Sequence, residues 1–261
     1  MTLCLHELRK SRVMLIVWSA ALSFMLGMCI LIYPEMSSQM NEVSDMFADM
    51  GSFSAAFGMD QVNFGEFMGF FAIECGNTLG IGGVLFAALA GITAISSEQR
   101  DGTAEFLLTH PITRTKVVTQ KLCAVFIRIL LMNITAFAVS LLCILAINEQ
   151  ADFGKLSLIF LSYFLMQLET AAVTFGVSPF VKSGAPGVGL GIGFAFYFIN
   201  IMANLDDKLK ALKYLTPFAY ADGTSIMAEG AIEQRYLAVG AVFTAAGIIA
   251  AYVAYRKKDI T

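Results

Sequence analysis

Six long apolar runs, almost free of charged side chains, dominate this sequence. A membrane-spanning helix needs about 20 mostly apolar residues to cross about 30 Å of hydrocarbon. Only 14% of the residues are charged, whereas a soluble domain usually carries about 25%. The runs therefore predict an all-α, polytopic membrane protein that forms a single transmembrane domain over residues 1–261. Its six transmembrane helices are predicted at residues 13–33, 69–95, 122–147, 156–178, 185–204 and 237–255.

Several function classes lack the residues that their chemistry requires. The net charge of −3 gives no general attraction to nucleic acid, so no nucleic-acid partner is expected. The five cysteines are scattered, without a close pair that would indicate a disulfide framework or a metal site. His6 and His110 are the only histidines, and both fall outside the predicted spans. A zinc site or a Ser–His hydrolase site inside the membrane is therefore not expected, and we predict neither catalytic nor metal-binding residues.

The positive charges predict the orientation of the spans. Lys and Arg accumulate in the cytoplasmic segments of membrane proteins. If the N-terminus lies inside, eleven Lys and Arg residues fall in inner segments and five in outer segments. Both termini are therefore predicted to be cytoplasmic.

Two outer segments carry features of their own. In residues 34–68, an apolar stripe recurs at helical spacing, which predicts an amphipathic outer helix. The stripe comprises Met36, Met40, Val43, Phe47 and Met50. Its methionines suit Cu(I) binding, but adaptable apolar packing is the favoured interpretation because no Cys or His accompanies them. Residues 205–235 mix short apolar pieces with charges, which indicates a broken or re-entrant helical hairpin.

The inner segment at residues 96–121 is the most informative part of the chain. Asp101 and Gly102 form a turn signal. After this turn, helical spacing is followed by Thr103, Phe106, Leu107 and His110. Pro111 ends the run, so the pattern predicts a helix of about two turns. So short a helix is marginal alone in water, so it needs a surface on which to dock. The alternative is a solvated loop that merely joins two spans.

This segment resembles the cytoplasmic loop of permeases of the type-2 ATP-binding-cassette (ABC) exporter family. The match rests on a Glu, a Gly-Thr pair, a Leu pair and a Pro-x-x-Arg at Glu98, Gly102-Thr103, Leu107-Leu108, Pro111 and Arg114. In those permeases the loop forms a coupling helix that sits in a groove of the ATP-binding subunit. The resemblance implies that the partner is bound by Glu98, Gly102, Thr103, Glu105, Phe106, Leu107, Pro111 and Arg114. Gly102 would form the turn, Phe106 and Leu107 the apolar contact, and Glu98 and Glu105 the polar anchors.

The resemblance extends along the chain. Residues 6–12 (HELRKSR) look like the basic amphipathic start of these permeases, residues 215–218 (LTPF) like their Leu-Ser-Pro element, and residues 256–260 (RKKDI) like their basic tail. Thr216 stands where Ser is more usual. The sequence contains no phosphate-binding Gly-x-x-x-x-Gly-Lys-Ser/Thr motif. The resemblance accordingly implies that ATP and Mg²⁺ bind to a partner and not to this chain.

The expected assembly contains two ATP-binding subunits and a second permease subunit, identical or homologous, in the plasma membrane of a prokaryote. Its expected substrate is hydrophobic or amphipathic, such as a lipid, a peptide or a drug, and its expected direction is outward. A secondary transporter, or a membrane-embedded regulator or scaffold without ATP coupling, remains the alternative. A secondary transporter would favour internal inverted repeats, and no clear repeat is present.

Two sets of residues within the spans complete the predictions. The glycines at the start of the fifth span have GxxxG spacing, which lets helices approach closely. By resemblance they would form the interface between permease subunits; they are Gly187, Gly189, Gly191 and Gly193. Arg128 and Glu169 are charges at similar predicted depth. We expect them either to pair and steady adjacent spans, or, for Glu169, to line a polar path or proton relay.

Overall fold

The computed structural model describes residues 2–48, 54, 63, 65–100, 113–181 and 185–257. Within these residues the chain is almost entirely helical and contains no strand. In chain order the α-helices are α1 (Thr2–Lys10), α2 (Arg12–Ala48), α3 (Phe67–Cys75), α4 (Gly83–Arg100), α5 (Arg114–Ile147), α6 (Phe153–Val177), α7 (Ala185–Leu205), α8 (Gly223–Glu229) and α9 (Gln234–Lys257). A π-helix, Gly76–Gly82, joins α3 to α4, and 3₁₀ helices cover Ser178–Phe180, Asp207–Leu215 and Pro217–Ala219.

Within the described part of the chain, six stretches are long and apolar enough to cross a membrane. Each predicted span lies inside one of them, which confirms the six-helix, all-α architecture. The stretches are Arg12–Ser37, Phe67–Ser97, Arg114–Ile147, Phe153–Phe180, Ala185–Leu205 and Gln234–Lys257.

Two helices extend beyond the boundaries predicted from hydropathy. The first span was predicted to end at Tyr33, but α2 continues through Pro34 to Ala48. A proline inside a membrane helix removes one backbone hydrogen bond but can be tolerated. Separately, the Ser37 hydroxyl donates to the Pro34 carbonyl at 3.0 Å. The third span was predicted to begin at residue 122, but α5 begins at Arg114 because Thr113 caps it. Its 34 residues correspond to about 51 Å, well beyond the hydrocarbon thickness.

The second and fourth spans form the centre of the bundle. In their apolar windows 72% and 61% of the residues are buried, against 17% in the fifth and sixth spans. The two central helices approach closely at Gly91, where an added Cβ would collide with the Ala171 carbonyl of α6. The fourth and sixth spans meet through a second glycine contact, in which a Cβ on Gly176 would lie 2.6 Å from the Gly247 carbonyl oxygen. Small residues at such crossings are the usual basis of helix packing in membranes.

The π-helix interrupts the second span. The wider turn of a π-helix disturbs the regular hydrogen-bond ladder, and such bulges are frequent at functional sites. Here the Gln167 amide of α6 donates to the Leu79 carbonyl at 3.1 Å. Asn133 of α5 in turn donates to the Gln167 amide oxygen at 2.6 Å. A buried amide chain therefore holds the irregular segment against its two neighbours.

The first and last described residues lie at the same end of the bundle, here called the termini end. The backbone N–H groups of Leu3 and Cys4 donate to the Gln120 side chain at 3.0 and 3.2 Å. Arg114 donates to the Arg256 carbonyl at 3.0 Å. The beginning of α1, the beginning of α5 and the end of α9 therefore converge.

At the opposite end, the chain folds back between the fifth and sixth spans. The Thr216 hydroxyl donates to the Phe196 carbonyl at 2.8 Å. Phe196 lies nine residues before Leu205, where α7 ends, so this contact is about 13 Å along the helix from its end. Residues 207–229, here called the re-entrant segment, form two 3₁₀ helices and α8 in succession. This agrees with the broken or re-entrant hairpin predicted from the sequence.

Candidate functional site

The segment predicted to dock on a partner is framed by two helices. Glu98 lies in the last turns of α4, and Arg114 is the first residue of α5. The other predicted docking residues lie outside the described residues; they are Gly102, Thr103, Glu105, Phe106, Leu107 and Pro111. Because residues 114–121 are helical, the connection between the second and third spans is shorter than the segment 96–121 assigned from the sequence.

The end of the second span, at the root of this connection, is held by a buried serine. The Ser178 side-chain oxygen accepts from the backbone N–H groups of Ile95 and Ser96 at 3.1 and 3.0 Å, and it donates to the Ile92 carbonyl at 2.6 Å. Ser178 begins the short 3₁₀ helix that ends the fourth span. The last turns of the second and fourth spans are therefore joined at the termini end.

A buried lysine joins the same turn to two further elements. Lys121 of α5 is 1% exposed, and its ammonium group donates to the Ala94 carbonyl at 2.7 Å and to the Glu7 carboxylate at 2.9 Å. A lysine is buried only where its charge is paired and hydrogen-bonded. Lys121 therefore connects α1, α4 and α5 directly beside the connection to residues 101–112. The sequence placed Lys121 at the end of the inner segment and carried no signal for this role.

Arg128 and Glu169, expected as a possible pair, have different partners. The Arg128 Nε donates to the Ala124 carbonyl of its own helix at 3.1 Å, and its charged neighbour is Glu7 of α1. The Glu169 carboxylate accepts from the Tyr220 hydroxyl at 2.7 Å. In the structure the two charges therefore contact different elements, Arg128 its own helix and α1, and Glu169 the re-entrant segment.

The Glu169–Tyr220 hydrogen bond fastens the re-entrant segment to the centre of the fourth span. Glu169 is 16 residues from the start of α6, about 24 Å along the helix. Tyr220 follows the 3₁₀ helix Pro217–Ala219 and is 3% exposed. Burial raises the pKa of the Tyr220 hydroxyl well above its ordinary value, and the neighbouring carboxylate raises it further. Tyr220 therefore remains a protonated donor to Glu169.

The glycines of the fifth span divide between two faces of α7. A Cβ on Gly189 would lie 2.6 Å from the Ile92 side chain, and a Cβ on Gly193 would lie 3.1 Å from the Leu85 side chain. These two glycines therefore pack on the second span of the same chain. Gly187 and Gly191 have open space where a Cβ would stand. Only this second pair remains available for contact with another subunit.

A small polar cavity lies between the π-helix and the re-entrant segment. Its volume is about 80 Å³, enough for several water molecules. Polar side chains contribute to its lining from the second, fourth and fifth spans and from the re-entrant segment; they are Asn77, Tyr163, Tyr197, Asn200, Asn204, Asp222 and Thr224. Hydropathy did not reveal this cavity, because a single amide side chain within an apolar run barely changes the mean hydropathy of that run.

A family model described as "ABC-2 family transporter protein" matches residues 1–260. The chain belongs to the ABC-2 transporter family. This confirms the family resemblance seen in the sequence. A comparison with curated proteins found no significant match.

Family membership and the six apolar helices together establish the general role of this ABC-2 permease. It is a multi-pass membrane protein and a membrane subunit of an ABC transporter, and it is not itself the catalytic subunit. Such a permease associates with ATP-binding subunits. The polar contacts of Ser178 and Lys121 at the termini end therefore lie within the membrane subunit of a transporter.

Proposed function

We propose that this chain, as a single transmembrane domain, is one permease half of an ATP-driven exporter in the plasma membrane of a prokaryote. A second permease subunit, identical or homologous, completes the path. Two ATP-binding subunits carry ATP and Mg²⁺ and dock on the cytoplasmic side. The cargo is a hydrophobic or amphipathic molecule such as a lipid, a peptide or a drug.

The distribution of positive charge supports an orientation with the termini end in the cytoplasm. Arg9 and Lys10 end α1, and Arg256 and Lys257 end α9. All four positive charges belong to elements that converge at the termini end. Positive charges near the ends of membrane helices are retained on the cytoplasmic side.

The observation that carries the proposal is the anchoring of the second span beside the connection to residues 101–112. Ser178 and Lys121 bind the last turns of this span. A displacement of the docked coupling helix would therefore move the ends of the second, third and fourth spans together with α1. Since the second span is the most buried span, its movement cannot occur without repacking of the bundle. Closure of the ATP-binding subunits would thus shift the permease between two packed states.

The open face of α7 supports a place for the second permease subunit. Gly187 and Gly191 share this face with the exposed rings of Phe194 and Phe198. A surface of small residues flanked by large rings suits close contact with another helix. The proposed subunit interface is therefore narrower than the four glycines predicted from the sequence, because Gly189 and Gly193 already pack inside the chain.

Phe106→Glu tests the coupling role. We expect this variant to lose co-purification with the ATP-binding subunit and to abolish stimulation of ATP hydrolysis, because a carboxylate cannot replace an apolar docking contact. Phe153→Glu is the matched control, since Phe153 is an exposed phenylalanine at the opposite end of the bundle. Undiminished ATPase stimulation by Phe106→Glu, or an equal loss in Phe153→Glu, would contradict the proposal and favour a permease without this coupling.

A further inference from the structure

A broad groove opens at the end of the bundle opposite the termini end, between the re-entrant segment and the beginning of α9. Its volume is about 530 Å³, within the usual range for a ligand site. The 3₁₀ helix Asp207–Leu215, the helix α8 and the beginning of α9 form its three sides. Its polar lining consists of Lys210, Lys213, Tyr214, Tyr220, Asp222, Ser225, Glu229, Glu233, Arg235 and Tyr236.

Two sides of the groove carry opposite charge. The 3₁₀ helix contributes Lys210 and Lys213, whereas α8 and its capping residue contribute Glu229 and Asp222. On the third side, Arg235 pairs with Glu233 and its charge is compensated there. The groove as a whole is thus close to neutral but polarised from one wall to the other.

Aromatic rings and the hydrogen-bonded side chain of Tyr220 give the groove a defined shape. Tyr214 and Tyr236 meet edge to face, with their ring centroids 4.9 Å apart. The Arg235 guanidinium lies 4.9 Å from the centre of the Tyr236 ring, so this aromatic side already accommodates a cation. Tyr220 forms part of the floor and is fixed by its hydrogen bond to Glu169. A site of fixed geometry loses less entropy when a ligand binds.

The surroundings of the groove suit the level where lipid headgroups meet a membrane protein. The 3₁₀ helix exposes Leu209, Tyr214 and Leu215 beside Lys208, a mixture typical of helices at the membrane surface. The apolar span of α9 starts at Gln234, directly after the groove residue Glu233. Ligands reach such a groove from the adjoining lipid leaflet.

We propose that this groove binds the zwitterionic headgroup of a phospholipid from that leaflet. The phosphate contacts Lys210 and Lys213, and the ammonium group faces Asp222 and Glu229. Both Asp222 oxygens already accept hydrogen bonds from Thr224 and Ser225, but a carboxylate retains further lone pairs for an ammonium donor. The site extends beyond the proposed export function, because it binds this lipid whether or not the lipid is cargo.

Titration of the purified full-length chain with two lipids, followed by native mass spectrometry, tests the site. Phosphatidylethanolamine carries both charges, whereas phosphatidylglycerol with the same acyl chains carries only the phosphate. We expect phosphatidylethanolamine to bind about tenfold more tightly, because only its ammonium group can use the acidic wall. Lys213→Gln should weaken its binding about tenfold, and Glu229→Gln should abolish the preference over phosphatidylglycerol. Lys210→Gln tests the basic wall a second time.

Lys208→Gln is the matched control. Lys208 lies on the same 3₁₀ helix as Lys213 but does not line the groove, so lipid binding should be unchanged. Equal binding of the two lipids by the unmodified chain would overturn the proposal, as would tighter binding of phosphatidylglycerol. An equal loss in Lys208→Gln and Lys213→Gln would also overturn it, because general attraction to lipid would then account for the binding.

Discussion

Replacement of Lys121 by methionine probes the contact between α1 and the end of the second span. Lys121→Met keeps a long, flexible side chain but removes the ammonium group that joins Glu7 to the Ala94 carbonyl. The Lys121 side chain is fully buried, and that of Glu7 is 12% exposed. The variant therefore leaves a largely desolvated carboxylate without its ion-pair partner, with Arg128 as the remaining positive neighbour.

The expected loss of stability follows from this burial. Removal of one partner from a buried ion pair typically costs about 3–5 kcal/mol. Since Glu7 retains some contact with water, we expect the lower limit, about 3 kcal/mol. For a chain of this size, 1 kcal/mol corresponds to roughly 2–4 °C in the unfolding midpoint, so the midpoint should fall by about 6–12 °C. Replacement of both partners should be milder, because the carboxylate that lost its ion-pair partner is then removed as well.

Thermal unfolding of the purified permease in detergent measures the effect in a double-mutant cycle. The cycle comprises Lys121→Met, Glu7→Gln and the double variant, and we expect the double variant to recover more than half of the loss. Lys116→Met is the control, because Lys116 is exposed on the same helix and should cost no more than about 0.5 kcal/mol. The reasoning is refuted if the two single losses simply add, or if Lys116→Met is as costly as Lys121→Met.

Substitutions at three further contacts are expected to have effects that can be told apart. Tyr220→Phe leaves the buried Glu169 carboxylate without its donor and should destabilise the chain by about 1–3 kcal/mol in the same unfolding assay, whereas the exposed Tyr214→Phe should change it little. Gly193→Leu should lower the unfolding midpoint because it forces α7 away from the second span. Gly191→Leu should leave that midpoint unchanged but reduce crosslinking between permease subunits. Gln167→Leu removes the donor to the π-helix and should increase amide hydrogen exchange there; unchanged exchange would show that the π-helix does not depend on this contact.

The sequence predicted the six spans well because an uncharged apolar run of about 20 residues can form few stable structures other than a membrane-spanning helix. It failed at helix ends, where hydropathy and helix formation no longer coincide. Residues 114–121 are mostly polar, yet they extend α5 because Thr113 caps the helix, Val117 and Val118 are buried, and Lys121 finds buried partners. The first span was predicted to end at Tyr33, although the helix continues through Pro34.

Pairings of buried polar groups were much harder to predict. Depth along a helix was estimated from residue counts, which placed Arg128 and Glu169 at similar levels but could not show which face each occupies. Arg128 donates within its own helix, whereas the partner of Glu169 comes from a distant part of the chain, since Tyr220 is 51 positions away. The GxxxG spacing likewise predicted a close helix contact without showing that Gly189 and Gly193 would be used within the chain. A single sequence carries no signal for such partners.

The second span connects the termini end with the polar cavity. From Gly83 to Ser96 it is a continuous α-helix, about 20 Å long, bound at its end by Ser178 and Lys121. Beyond this rod lies the π-helix, whose first residues, Gly76 and Asn77, line the cavity. A displacement of this α-helix is therefore transmitted to the π-helix, the least regular part of the span, where Gln167 contacts the backbone. We expect the helix to change its path there when the permease changes state, because regular α-helix on either side resists bending more strongly than a π-bulge.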